Sequence, residues 1–217
     1  GVINGIGHFW GYRNYDCEDA STNIVPWGIL IGGEELHNNH HTYATSAKLS
    51  NKWYEFDIGW MYICVLSYLG MAKVKKVPPK PVLSAVRPAD DQTLEAVIAN
   101  RYEIMARYSK TLQRCIANEF QNMQEFANHL KDARDWLYKD EVKLSSDEKQ
   151  KLEELMKTNP QLRKMIEMRR ELHAIWERSN ATREQLLGQL RSWCHRAEEA
   201  GPNSLKEFSL RLRRYSN

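Results

Sequence analysis

Long apolar runs are absent from this 217-residue sequence. No apolar stretch reaches the ~18 residues of a transmembrane helix, so the sequence predicts no clear membrane span. The longest uncharged stretches, Ala20–Gly33 and Ile58–Ala72, are too short to span but fit a buried or interfacial segment. The start also lacks the basic region of a signal peptide.

Cysteines are few, and strand-like alternation is missing. The four cysteines are widely separated and form no CxxC or other metal-binding spacing, so we predict free thiols, with a disulfide as the alternative. The sequence shows no internal repeat and no run of alternating apolar and polar residues. These absences favour a mainly α protein.

Charge is distributed unevenly along the chain. Residues 1–72 contain three basic and seven acidic residues, whereas residues 161–217 contain twelve basic and seven acidic ones. Between them, Lys73–Pro81 (KVKKVPPKP) combines four lysines with three prolines, and proline disfavours helix at and before its position. We therefore predict three parts: residues 1–72, a basic proline-rich connector at 73–84, and a helical extension at 85–217. The lysines fit either an anionic lipid surface or a solvated linker.

The region 85–217 has the periodicity of amphipathic helices. A first apolar stripe runs from Leu94 to Ile116 along one helix face, with Asp90 and Asp91 at its positive amino-terminal end. Start and stop signals divide the rest into four further helices. These signals are the capping-box pairs Ser145/Glu148 and Thr182/Gln185, the Asn159-Pro160 step and the Gly201-Pro202 step.

Three of the seven histidines fall within five positions, in the sequence EELHNNHH. On a helix, positions i, i+3 and i+4 share a face, so His37, His40 and His41 would project to one side. Neutral imidazole is the commonest metal ligand and suits zinc, copper, iron and nickel. The pattern therefore predicts part of a histidine-rich metal site. A surface histidine run is the alternative, because Asn38 and Asn39 are poor helix formers.

Three stretches around these histidines resemble the second half of a membrane fatty acid desaturase of the acyl-CoA (stearoyl-CoA) type. They are Asn4–Asp16 (NGIGHFWGYRNYD), Gly33–His41 (GEELHNNHH) and Lys52–Trp60 (KWYEFDIGW). In that family an NxxxH element before GYRxYD and a later HNxHH box supply iron ligands, and the spacing from His8 to His37 fits. The resemblance covers the first quarter to third of the chain.

The resemblance implies a metal site with particular ligands. His8, His37, His40 and His41 match iron ligands. Asn4 matches a polar residue that contacts one iron through water, and Glu34 matches an acid that would orient an imidazole. The implied cofactor is a pair of iron ions with O2 as co-substrate. Removing two hydrogens from an unactivated methylene pair requires a redox metal, because no side-chain acid or base can do it.

The same resemblance implies the reaction and its partners. A desaturase of this type inserts a cis double bond, in the family at the delta-9 position, into a saturated fatty acyl-CoA. It implies an electron donor of ferredoxin or cytochrome type and a bacterial inner-membrane location, with the active site on the cytoplasmic side. The implied fold is mainly α: the carboxyl-terminal part of a histidine-box di-iron desaturase, followed by an amphipathic helical tail.

The sequence departs from the family pattern in two respects. Ala44 replaces a proline that often follows the histidine box, and the two upstream boxes of the family, HxxxxH and HxxHH, do not occur. Four matched histidines cannot complete a two-iron site, and the first residue is glycine. We therefore expect an incomplete fragment without activity of its own; a processed terminus is the milder alternative. His129, His173 and His195 are isolated and predict positions on a helix surface or core edge.

The tail resembles a second family. The NPQL sequence that opens a helix, the LHAIW sequence and a tryptophan-containing helix near a basic end resemble the carboxyl-terminal helices of insertion-sequence DDE transposases. The basic excess permits binding to nucleic acid or anionic lipid. Arginines alternate with glutamates at 167–178, so we predict charges paired within helices and no nucleic-acid partner. Trp176 and Trp193 are predicted to lie in the core.

Two alternatives to the desaturase hypothesis remain at this point. The first is a non-catalytic helical module that binds a partner or nucleic acid, attached to a relic histidine box. The second is a remnant of a nucleic-acid enzyme of the transposase type.

Overall fold

A computed structural model describes residues 2–17, 19–119, 144–177 and 180–216. These residues are mainly helical, as the sequence predicts. The chain divides into two compact units, Gly1–Lys80 and Pro81–Asn217. The three-part division at 72 and 84 stays a prediction.

Short elements joined by long loops make up the first unit. They are α1 (Val2–Gly7), β1 (Trp27–Gly28), α2 (His37–Thr42), β2 (Phe56–Asp57) and α3 (Ile58–Tyr68). β1 and β2 pair in parallel, with Trp27 opposite Phe56 and Gly28 opposite Asp57. With so little regular structure, other groups must satisfy the backbone polar groups of the loops.

Buried carboxylates satisfy many of them. Asp57 caps α3 by accepting a hydrogen bond from the Trp60 N–H at 2.9 Å, and its second oxygen accepts from the Leu49 N–H at 2.6 Å. Glu35, which is 4% exposed, accepts hydrogen bonds from the backbone N–H groups of Leu30, Ile31 and Gly33. These side chains hold the loops on either side of α2.

The apolar helix α3 packs little of its surface. None of its eleven residues is buried. Large apolar side chains are also exposed elsewhere in the first unit, among them Phe9, Leu30 and Trp53. Within the ranges given above, no helix combines the length and the apolar character needed to cross a membrane.

The second unit consists of helices between two short strands. Its elements are β3 (Val82–Leu83), α4 (Asp91–Ala99), α5 (Arg101–Glu119), α6 (Ser146–Thr158), α7 (Pro160–Glu177), α8 (Arg183–Ala200), α9 (Asn203–Leu212) and β4 (Tyr215–Ser216). The first strand pairs antiparallel with the last, Val82 with Ser216 and Leu83 with Tyr215.

The predicted helix boundaries in this unit are largely confirmed. Capping boxes form at Ser145 and at Thr182. Each side chain accepts from the backbone N–H of the third helical residue, and the side chain of that residue accepts from the backbone N–H of the cap residue. Asp90 caps α4 by accepting from the Thr93 N–H at 2.8 Å. Pro160 begins α7 and Gly201 follows the end of α8.

The first predicted apolar stripe, from Leu94 to Ile116, lies on two helices rather than one. Asn100 (φ −100°, ψ 16°) separates α4 from α5, and its side-chain amide donates to the Ala96 carbonyl at 2.8 Å. The Ala96 carbonyl also accepts from the Asn100 backbone N–H at 3.0 Å, so the helix bond is kept and the break lies in the ψ angle of Asn100, which is outside the helical range. Apolar periodicity persists across the break because both helices face the same core.

The core of the second unit is apolar and contains Trp193 at its centre. Trp193 is 1% exposed, as predicted for a core residue, and its Nε1–H donates to the Met168 carbonyl at 2.8 Å. Tyr108 is fully buried and donates to the Met165 carbonyl at 2.7 Å. Trp176 is partly buried against the same core. Both buried rings therefore satisfy their polar groups, which makes their burial favourable.

The ion pairs of this unit often join different helices. The Arg196 guanidinium of α8 contacts the Glu171 carboxylate of α7 at 2.6 Å, and Arg213 contacts Glu198 at 2.9 Å. These pairs form between helices because α7 and α8 pack side by side, and the pairing within the helix at 167–178 stays a prediction.

The remaining histidines and cysteines have ordinary positions. His173 and His195 pair with glutamates one turn along their helices, at 3.2 and 3.3 Å, and neither is buried. His129 lies outside the described residues. All four cysteines are free, as predicted.

Candidate metal centre

Asn38 and Asn39, the poor helix formers, are the residues that hold α2 in place. The Asn38 side chain accepts from the Tyr15 N–H at 3.0 Å and donates to the Tyr15 carbonyl at 3.0 Å. The Asn39 amide donates to the Glu55 carboxylate at 2.8 Å, and its oxygen accepts from the Asn14 amide at 2.8 Å. Both asparagines are buried. Tertiary hydrogen bonds therefore override the low helix propensity of this short segment.

The helix brings histidines from two separated segments together. One potential ligand nitrogen each from His8, His37 and His41 lies within 4.8 Å of the others. The ring centroids of His37 and His41 are 4.2 Å apart, and the His8 ring is 5.1 Å from each. Three imidazoles at this separation can converge on a single metal ion.

His40, the fourth predicted ligand, lies beside this three-histidine cluster. Its ring centroid is 6.4 Å from that of His37 and 5.7 Å from that of His41. Its Nδ1 atom is shielded from solvent and makes no hydrogen bond within the part of the chain that the structure describes. A shielded ring nitrogen without a hydrogen bond is a group that a metal ion could satisfy.

Carboxylates lie next to Nδ1 of two of the histidines. Nδ1 of His37 is 3.6 Å from Oε2 of Glu34, the acid predicted to orient an imidazole. Nδ1 of His41 contacts Oδ2 of Asp19 directly. In the His41 ring Nε2 is therefore the nitrogen that can face a metal. Asn4 lies in α1, but its side chain is outside the described residues.

The electrostatics keep one imidazole neutral and one carboxylate charged. Burial lowers the pKa of His37, and the neighbouring imidazoles of His41 and His8 lower it further. Burial acts to raise the pKa of Asp19, but hydrogen bonds from Ser21, His41 and Cys17 outweigh it, so that pKa lies well below its usual range. At neutral pH His37 offers a lone pair and Asp19 offers a negative charge.

Two glycines create the space for this arrangement. A Cβ atom on Gly7 would lie 2.8 Å from the ring of His37. Gly33, just before the histidine helix, has φ +104°, and a Cβ atom there would lie 2.7 Å from the Asp57 carboxylate. A side chain at Gly7 would displace His37, and one at Gly33 would displace Asp57, the cap of α3.

Asp19, Gly7 and the structural role of the asparagines could not be predicted from the sequence. Asp19 lies 22 residues before its histidine partner, and Gly7 lies 30 residues before the ring it accommodates. Neither separation matches a helix or strand period, so no local pattern connects the partners. The one signal for these residues in the sequence is that they lie near the NxxxH element.

The donor set fits a nitrogen-ligated transition metal. Three imidazoles converge, a fourth is adjacent, and carboxylates stand behind two of them, an arrangement typical of histidine metal sites. Such a cluster can hold an ion with coordination positions left open. That is the requirement for metal chemistry on a substrate.

Part of the chain is similar to known acyl-lipid desaturases. Over 79 residues it is 43% identical to the sn-2 palmitoyl-lipid 9-desaturase of Nostoc sp. (strain 36), and over 79 residues 40% identical to the sn-1 stearoyl-lipid 9-desaturase of Anabaena variabilis. Over 82 residues it is 40% identical to the Synechocystis sn-1 stearoyl-lipid 9-desaturase. These matches cover 36–38% of this chain and 26–29% of each relative.

The second unit matches a different family. A family model described as a transposase, the ISL3 type of DDE transposase, matches residues 88–217. No solved structure matches the chain. The transposase match accounts for the helical tail and confirms the resemblance of its NPQL and LHAIW sequences. Since it extends over more than half of the 217 residues, the chain belongs to the ISL3-type DDE transposase family, and it carries a separate segment similar to acyl-lipid 9-desaturases.

Proposed function

We propose that the first unit is the carboxyl-terminal, metal-binding part of an acyl desaturase. The observation that carries this proposal is the convergence of His8, His37 and His41 from two separated segments. The similarity to three cyanobacterial acyl-lipid 9-desaturases gives the metal its proposed identity, iron, and the site its substrate class. In this proposal the acyl chain is oxidised at the ninth position, as the names of those relatives state.

Bound iron would supply the redox chemistry by which O2, two external electrons and two protons convert a methylene pair into a cis double bond and two waters. The residues of this chain would hold and orient part of that metal site. His8, His37 and His41 would hold the metal, with His40 beside them. Glu34 would orient the His37 ring, and the buried asparagines would fix α2, so that the imidazoles stay in position.

The proposed substrate lies in a membrane, and exposed side chains of the first unit fit such a surface. Phe9 and Leu30 are each 91% exposed and Trp53 is 95% exposed. Four lysines at 73–80 follow the apolar α3 helix and would meet anionic headgroups. We propose association with the cytoplasmic face of a bacterial membrane, with a ferredoxin- or cytochrome-type electron donor.

The chain by itself should bind metal without desaturating a substrate. The first unit offers four histidines, whereas a two-iron centre ligated by imidazoles needs about twice that number. Further ligands would have to come from outside the first unit. We expect the isolated chain to form no unsaturated product from saturated acyl lipid or acyl-CoA when supplied with iron, O2 and an electron donor.

Cobalt titration tests the metal site. Co2+ should bind the full chain, kept in mild detergent, and give the visible absorption of a nitrogen-ligated ion. His37→Ala and His41→Ala should each weaken binding by at least about tenfold, because each removes a ligand. His195→Ala, which changes an exposed histidine of the second unit, is the matched control. Equal affinity of all three variants would refute the proposal.

A second candidate function, DNA association by the second unit, follows from the transposase match over 88–217. Ion pairs should weaken this association, because they neutralise arginines that could contact phosphates. Arg183 contacts Asp91 and Glu95, Arg196 contacts Glu171, and Arg213 contacts Glu198. Binding of duplex DNA would therefore be weak and lost as salt rises. A gel-shift titration with the full chain at several salt concentrations tests this, and affinity independent of salt would contradict it.

A further inference from the structure

Asp19 is not among the site residues that the sequence predicts, yet it makes the most direct polar contact with the three-histidine cluster. Its Oδ2 atom contacts Nδ1 of His41, 22 residues along the chain. The contact is part-buried, with 37% of the Asp19 side chain and 28% of the His41 side chain exposed. A mobile surface pair would contribute little at such exposure. Its significance therefore depends on whether Asp19 is held in place.

The other carboxylate oxygen of Asp19 is fixed by its own loop. Oδ1 accepts hydrogen bonds from the Ser21 N–H at 3.0 Å and from the Cys17 thiol at 3.2 Å. Ser21 is fully buried and Cys17 is 5% exposed. Both anchors are more deeply buried than Asp19 itself, so the carboxylate is presented to the histidine in one orientation.

The anchor is also connected to the histidine helix. The Asn38 amide donates to the Cys17 sulfur at 3.3 Å, and Asn38 precedes His41 by three residues on α2. Loop and helix are thus tied together at a second point. Displacement of α2 relative to Asp19 would break this bond as well as the carboxylate–imidazole contact.

With both oxygens engaged, Asp19 is a poor candidate for a direct metal ligand. A neutral imidazole carries one N–H, and a carboxylate beside Nδ1 places the proton there, which leaves the lone pair on Nε2. We propose that Asp19 is a positioning residue that holds His41 as the Nδ1–H tautomer, with Nε2 directed to the metal. This inference rests on the proposed function of the cluster as a metal site.

The first test needs no metal. In the full chain labelled with 15N-histidine, at a pH where imidazole is neutral, long-range 1H–15N spectra distinguish the two tautomers, and His41→Gln assigns the resonance. We expect His41 to be the Nδ1–H tautomer in the wild type. Asp19→Asn should give a mixture or the Nε2–H form, because an amide can accept or donate at Nδ1. Asp19→Glu should restore the Nδ1–H form at least in part.

The second test measures metal affinity. Asp19→Asn should weaken Co2+ binding about 10- to 100-fold, the usual effect of removing a carboxylate behind a metal-bound histidine. Asp16→Asn, which removes a charge from the same loop next to Arg13, is the matched control and should leave affinity unchanged. Far-ultraviolet circular dichroism shows whether each variant keeps its helices.

The outcomes separate this inference from the proposed function. If the wild type binds no cobalt, the metal-site proposal fails, while the tautomer of His41 still decides the role of Asp19. The Nε2–H tautomer in the wild type would overturn the inference. So would Asp19→Asn with an unchanged tautomer and unchanged cobalt affinity.

Discussion

Glu55 is the residue whose replacement should most disturb the histidine helix without touching a histidine. It is 9% exposed and accepts five hydrogen bonds. One carboxylate oxygen receives the Tyr12 hydroxyl and the Asn14 amide, and the other receives the Asn39 amide and two backbone N–H groups. Every one of these partners is a donor.

Glu55→Gln keeps the shape but places an NH2 group against donors. Whichever way the new amide turns, at least two former partners lose their acceptor. Each donor left unsatisfied costs about 1–3 kcal/mol, so the loss of two should destabilise α2 by about 2–6 kcal/mol, equivalent to roughly a 30- to 20,000-fold change in its opening constant. Either orientation reaches α2, because the bond that is lost comes from the Asn39 amide or from the Asn14 amide that also donates to the Asn39 oxygen.

Hydrogen exchange measured on a peptide that covers residues 37–42 is the assay. The protection factor of these amides should fall by the predicted ratio in Glu55→Gln. Glu153→Gln, the same chemical change at an exposed position of α6, should change no protection factor by more than about twofold. If Glu55→Gln also stays within about twofold of wild type, the buried carboxylate does not hold α2.

Three further predictions concern the second unit. Ser145→Ala should destabilise it by about 1 kcal/mol in urea unfolding through loss of the capping box, whereas Ser146→Ala, one residue inside the helix, should not. Hydrogen bonds from Thr93, first that of its backbone N–H, lower the pKa of Asp90. The stability that Asp90 contributes is thus present above the unfolded pKa of about 3.9 and is lost as pH falls through the lower folded value. Asp90→Asn should therefore lose less stability than the wild type on acidification. Equal losses in the two proteins would contradict this role of Asp90. Burial raises the pKa of the Cys194 thiol to about 11, so peptide mapping after alkylation of the native chain should find the exposed Cys64 labelled and Cys194 labelled only after unfolding.

Helix ends in the second unit could be predicted from the sequence because their signals are local. Ser145 and Glu148 are three residues apart, and so are Thr182 and Gln185, and each pair forms the predicted box. The interruption at Asn100 could not be predicted, since periodicity reports which face is buried and both α4 and α5 bury the same face. The break is confined to one residue, Asn100, whose ψ of 16° lies outside the helical range.

The metal site likewise contains one part that the sequence predicts and one part that it does not. Helical spacing alone places His37 and His41 on one face of α2, but only resemblance to desaturases connects them with His8. Asp19 and Glu55 act across 22 and 16 residues, through loops whose course depends on many simultaneous hydrogen bonds. No period in the sequence encodes such contacts, so the residues that support the histidines emerge only from the three-dimensional structure.

The pairing of β3 with β4 has a consequence for how this helical unit can be joined to other polypeptides. Its first strand and its last strand lie side by side, and the bond from the Ser84 N–H to the Arg214 carbonyl at 2.7 Å extends the ladder. Polypeptide that continues past Ser216 would leave the bundle next to the place where Val82 enters it. A bundle with adjacent entry and exit can be inserted at one point of a foreign chain without spreading its host apart. The folding of this unit is therefore compatible with a recombination event that joins it to an unrelated gene.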